Sequence, residues 1–181
     1  MTKTQHPVHR IELRVQELGQ LFNSMDPTPF HHKDLDPDAE EFIESWALEY
    51  PQESRFHITI HLGQMPPEDP TSLVAEAFHN YFDYKSELAL RKVRVLLLEG
   101  RTSLMIGGGV LALCLLGAEV LGTFAAGAFL KILRESLTIG GWVAMWRPMQ
   151  IFLYEWWPLM RRSRIYGSLG RAQVHVLQGK P

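Results

Sequence analysis

At 181 residues, with one cysteine and a net charge of −2, the chain has the size of one small domain plus a membrane unit. An isoelectric point near 6.4 argues against a nucleic-acid binder, which carries a basic excess, and Cys114 alone cannot form an internal disulfide. The mean hydropathy of −0.08 reads as soluble, but it averages a polar first half with an apolar second half.

The first ten residues are polar and hold no apolar run, so no cleavable signal peptide is expected. Residues 10–15 alternate, with Ile11, Leu13 and Val15 on one side and Arg10, Glu12 and Arg14 on the other. This period of two predicts a half-buried strand. The stretch 22–36 is dense in turn formers (Asn23, Ser24, Asp26, Pro27, Pro29) and gathers His31, His32, Asp34 and Asp36. Its histidines and aspartates fit no standard ligand spacing, so no metal is assigned. Phe22, Asp26, Pro29, Phe30, His31, His32 and Asp34 form the candidate partner-contact loop.

A helix follows. Asp36 suits the N-cap, Pro37 the first helical position, and Asp38, Glu40 and Glu41 the dipole of the first turn. Ala39, Phe42, Ile43, Trp46 and Leu48 are expected near its apolar side, and Pro51 ends it. Residues 55–62 form the second alternating strand: Phe56, Ile58, Ile60 and Leu62 against Arg55, His57, Thr59 and His61. His57 and His61 share a face, where His175 could join them; a solvated sheet face explains them more simply.

After the breaker 65–70, Thr71 can cap a second helix with Leu73, Val74, Ala77, Phe78, Tyr81 and Phe82 on its apolar side. The pattern continues through Leu88, Val93, Leu96 and Leu97 toward residues 104–118, which carry no charge and are apolar on every face. With the flanking residues this reaches the roughly 20 needed to cross a bilayer. Gly100 or Gly107, Gly108 and Gly109 could bend it. Cys114 lies inside this run as a small hydrophobe.

Residues 123–135 read as a short amphipathic connector on the outer membrane surface. Residues 136–157 read as a second membrane helix, kinked at Pro148, with Tyr154, Trp156 and Trp157 at one end; a re-entrant segment is the alternative. Small residues (Gly107–Gly109 and Ala112; Gly140, Gly141 and Ala144) offer close-packing faces. Glu119, Arg147 and Glu155 form a membrane charge site. Arg147 needs a partner inside the bilayer, Glu119 lies nearer the outer surface, and Glu155 is within reach of Arg161 or Arg162. Arg91, Lys92, Arg94 and Arg101 precede the apolar pair and Arg161, Arg162, Arg164 and Arg171 follow it; Lys131 and Arg134 are the basic residues between. The positive-inside rule then puts both termini in the cytoplasm.

A third strand is expected near the C-terminus, where Ala172, Val174 and Val176 alternate with Gln173 and His175. It can complete the sheet only if both chain ends lie on one side of the membrane. The expected fold class is α+β: a small cytoplasmic three-stranded sheet with helices (1–100), a transmembrane helical hairpin (101–158) and a cytoplasmic tail (159–181).

FNSMDPTPFHHKDLDPDAEEFIESWA (22–47) and GWVAMWRPMQIFLYEWWPLMRRSR (141–164) together resemble a family of uncharacterised small bacterial membrane proteins with an N-terminal cytoplasmic domain and two membrane helices. The resemblance implies a bacterial inner-membrane setting and supplies no catalytic residue. No Walker loop, GxSxG, HExxH or Rossmann glycine pattern occurs, so enzyme activity stays open, leaning to no, and no cofactor is expected. The leading expectation is a membrane-anchored interaction or scaffold module, in contact with lipids and with a protein partner or its own copies. An oligomeric pore or transporter accessory subunit is the alternative, and a membrane-bound hydrolase using residues 31–36 the third.

Overall fold

The computed structural model describes residues 7–23, 27, 33–51, 54–124 and 127–179. Its elements are β1 (Val8–Val15), a 3₁₀ turn (Leu18–Leu21), α1 (Pro37–Leu48), β2 (Arg55–Leu62), α2 (Thr71–Phe124), α3 (Ala128–Ala144), α4 (Trp146–Gln150), a π-turn (Ile151–Glu155), α5 (Trp156–Leu169) and β3 (Gln173–Gln178). They divide into two compact units: Met1–Leu90 with Met160–Pro181, and Arg91–Leu159.

The first unit is α+β. Its sheet runs in the order β1-β2-β3 with both pairings parallel. All three expected strands are present, and β3 takes its place beside β2, with Ile58 opposite Val174 and Ile60 opposite Val176. Burial alternates along each strand. Ile11 and Leu13, then Phe56, Ile58, Ile60 and Leu62, then Val174 and Val176 turn inward. They share one core with Ile43 and Ala47 of α1, Val74, Phe78 and Phe82 of α2, and Ile165 and Leu169 of α5. The opposite face carries Arg10, Glu12, His57, Thr59, His61 and His175, and among the described residues no group of three potential ligands gathers to hold a metal.

Asp36 caps α1 as expected, its Oδ1 accepting from the Asp38 amide at 3.0 Å. The buried stripe of α1 is different from the expected one. Phe42 and Trp46 are about 40% exposed and lean on each other. Glu40 and Glu44 turn inward in their place. The Tyr81 hydroxyl donates to Glu40, Lys85 pairs with Glu40 at 2.6 Å, the Tyr166 hydroxyl donates to Glu44 at 2.9 Å, and Arg162 pairs with Glu44 at 3.2 Å. Carboxylates with such partners can take flank positions that apolar side chains would otherwise fill. They tie α1 to both long helices.

Burial raises both the Tyr81 and Tyr166 phenols well above their ordinary range, and the carboxylate each one faces raises them further. Both phenols are therefore neutral in the fold. Their contribution to stability is complete below the ordinary phenol value near 10 and is lost as pH rises beyond it. Denaturant midpoints compared at neutral pH and above that value should fall on the alkaline side for the native chain. They should fall less for the double variant Tyr81→Phe/Tyr166→Phe.

At the start of α2 the cap is Asp69 instead of Thr71. Asp69 Oδ1 accepts from the Thr71 hydroxyl at 2.6 Å and from its amide at 2.9 Å, which holds the carboxyl below its usual value. α2 then runs unbroken for 54 residues, about 80 Å at roughly 1.5 Å per residue. Its helical span continues through Gly100 and the glycine triplet.

In the second unit α2 and the returning leg pack antiparallel. A Cβ at Gly100 would meet Ile151 and Phe152, one at Gly107 would meet Ala144, one at Gly141 would meet Leu111 and Cys114, and one at Gly122 would meet Arg134. α2 is the one described helix long and apolar enough to cross a membrane, and only 11% of its most apolar stretch is buried. The returning leg is segmented, where a single kinked helix over 136–157 was expected. No separate connector helix precedes it either, because residues 128–135 already belong to α3. The break falls at Met145, three residues before Pro148, whose ring and missing N–H disturb the preceding turn. α5 continues past the expected end at Trp157 to Leu169, since Pro158 sits in its first turn, where a missing N–H does no harm.

Candidate functional site

Arg147 is the centre of the charge site. Its Nη1 donates to Glu155 Oε1 at 2.6 Å and its Nη2 to Glu99 Oε1 at 2.7 Å, so both arms of the guanidinium are occupied. Glu155 was expected to be within reach of Arg161 or Arg162. Those two bind elsewhere: Arg161 donates to the Leu48 carbonyl and Arg162 pairs with Glu44. Glu119 is not part of the site. It lies 3.9 Å from Arg134, near the far end of α2.

The π-turn makes this pairing possible. Residues eight apart on a regular helix lie about 80° apart around the axis, and a π-turn absorbs one residue, reducing the difference to about 20°. Arg147 and Glu155 span this turn, so they come to one face. Glu99 was missed because it belongs to the other leg. Only the register of Gly100 against Ile151 brings it close, and no local pattern carries that register.

Five of the candidate contact-loop residues, Asp26, Pro29, Phe30, His31 and His32, lie outside the described residues. The base of the loop is described. Phe22 and Leu35 form an antiparallel bridge, the Asn23 amide donates to the Asp34 carbonyl at 2.8 Å, and the Asp36 amide to the Leu21 carbonyl at 3.0 Å. Phe22 is only 2% exposed and meets Phe78 edge-on. It anchors the loop in the core and is not available as a contact residue, because an aromatic beside an apolar sheet gains more by burial than by display.

The first unit also contains an open groove of about 950 Å³. Its walls are the beginnings of the strands (Val8, Ser54, Arg55, Phe56, His57, Gln173), one edge of α2 (Ser86, Leu90), one face of α5 (Met160 to Ser168) and Arg171 in the turn after it. Among the described residues the lining includes Arg55, Arg164 and Arg171 and no carboxylate. Ser86 and Ser163 cross-link the two helices here, the Ser86 hydroxyl donating to the Ser163 carbonyl at 3.0 Å and the Ser163 hydroxyl to the Ser86 carbonyl at 3.2 Å. The strand alternation marked Arg55 and His57 as solvent-facing, but it held no signal that α5 would bring two further arginines to the same place.

No protein-family model, no curated protein and no solved structure matches the chain.

Proposed function

We propose that the chain is a two-pass membrane protein that holds its α+β domain at the cytoplasmic face of a bacterial inner membrane as an interaction module. The observation that carries this is the pairing of β3 with β2 in one sheet. Between these strands the chain makes one excursion, residues 91–159, and returns. A chain that comes back to the same sheet crosses a membrane an even number of times. If α2 spans, the returning leg spans with it, whatever its breaks.

The surface of the excursion supports the same reading. Met105, Ile106, Leu113 and Leu116 on α2, and Phe129, Ile139, Trp142, Val143 and Trp146 on the returning leg, are all more than 60% exposed. A water-soluble domain rarely leaves so much contiguous apolar surface uncovered. Arg91, Lys92, Arg94 and Arg101 before the apolar run and Arg161, Arg162, Arg164 and Arg171 after the returning leg outnumber Lys131 and Arg134 near the turn between the legs, which supports termini on the inner side. Because Arg147 is held by two carboxylates of its own chain, it calls for no acid from a neighbouring copy. This favours the anchored module over an oligomeric pore.

Single cysteines in a Cys114→Ala background test the topology. A membrane-impermeant maleimide should label Lys131→Cys in intact spheroplasts and Glu68→Cys only after lysis. Labelling of both from the same side would end the two-pass reading.

A further inference from the structure

We infer that the groove of the sheet unit is a binding site for a phosphate group. Three observations converge on it. The first is charge: Arg55, Arg164 and Arg171 line one groove with no carboxylate among its described lining residues. Arg161 is engaged with the Leu48 carbonyl and Arg162 with Glu44, and Arg164 has an interaction of its own. Arg55 and Arg171 carry no side-chain ion pair among the described residues.

The second is shape. Arg164, Gly167 and Ser168 follow the three- and four-residue spacing of one face of α5, and Arg171 lies in the turn just past its end. Gly167 keeps the middle of that face low: a Cβ there would lie 3.5 Å from Ser86 Oγ and 3.8 Å from Arg171 Nη2. The guanidinium of Arg171 thus lies over the glycine, beside the helix–helix seam.

The third is an unpaired donor. Ser54 lines the groove, is only 2% exposed, and its Oγ has no hydrogen-bond partner among the described residues. Buried hydroxyls are normally satisfied. A ligand oxygen reaching the groove would complete this one. Several guanidiniums with a hydroxyl match the three or four oxygens of a phosphate better than the two of a carboxylate.

A soluble phosphoester and a lipid headgroup offer the same oxygens, and the inference stands independently of the membrane reading. The test uses the full chain in a non-ionic detergent at constant ionic strength. Calorimetric titrations would compare inorganic phosphate, dioctanoyl phosphatidic acid and, as a control, dioctanoylglycerol. Saturable binding of at least one phosphate ligand and none of the control is expected. Binding of inorganic phosphate points to a soluble source, and binding of phosphatidic acid alone points to a headgroup.

Arg55→Gln/Arg171→Gln should weaken binding by about tenfold or more, as expected for the loss of charge-assisted hydrogen bonds. Ser54→Ala should also weaken it while leaving the thermal midpoint unchanged, because it removes a hydroxyl that the free protein does not use. Failure of both phosphate ligands to bind would overturn the inference. So would equal affinity in the native chain and the arginine variant, or a lowered midpoint with unchanged affinity in Ser54→Ala.

Discussion

On the two-pass reading proposed above, Arg147→Leu is expected to reduce the amount of membrane-inserted, folded protein several-fold, and the triple variant with Glu99→Gln and Glu155→Gln is expected to recover most of it. The pairing explains both outcomes. One guanidinium holds two carboxylates that come from different legs of the second unit. Removing it leaves two negative charges facing each other beside apolar helices. Uncompensated charge in such surroundings costs far more than the intact pairing contributes. Neutralising both acids removes the repulsion and the desolvation together. The measurement is the yield of detergent-extractable monodisperse protein from isolated membranes. Equal yields of Arg147→Leu and the native chain would mean that the cluster is well solvated and that the returning leg does not enter the bilayer at this level.

Gly107→Ala and Gly108→Ala should behave in opposite ways although they are neighbours. A Cβ at Gly107 would lie 2.6 Å from the Ala144 carbonyl oxygen, a backbone atom that cannot rotate away. In a regular helix that carbonyl would accept from the amide of residue 148, and residue 148 is proline. The freed oxygen leans on Gly107, where α2 has no side chain to meet it. Gly107→Ala is therefore expected to cost about 1–3 kcal/mol by overpacking. Gly108 has open space around it, so Gly108→Ala should stay within about 0.5 kcal/mol of the native chain. Thermal unfolding of the two variants in the same detergent makes the comparison. No loss in Gly107→Ala would show that helix propensity outweighs the close contact, and an equal loss in both would show that the contact with Ala144 does not distinguish the two positions.

These glycines also show how far a sequence pattern reaches. Small residues at Gly107–Gly109 and at Gly140 and Gly141 were all eligible for a close-packing face. Only Gly107 and Gly141 occupy one, while Gly108, Gly109 and Gly140 face open space. Composition supplies candidates, and the relative rotation of two helices selects among them. The same limit applies to α1. Its apolar residues were legible, but Glu40 and Glu44 displaced Phe42 and Trp46 from the buried stripe once Tyr81 and Tyr166 were present to meet them.

What the residues determined by themselves is the set of local periods. Alternation over 10–15, 55–62 and 172–176 produced three strands with one covered face, Asp36 and Pro37 started α1, and the charge-free run at 104–118 produced an apolar helix. Each depends on contacts or solvation within a few residues, so each can be read along the chain. The tertiary structure decided which distant groups meet. Arg147 met Glu99 because two legs pack in one register and a π-turn shifts the phase of Glu155. Three arginines came to one groove because α5 outlasts its predicted end and runs back along the sheet. Register between elements depends on close packing summed over many side chains, and that sum is not written in any short stretch of sequence.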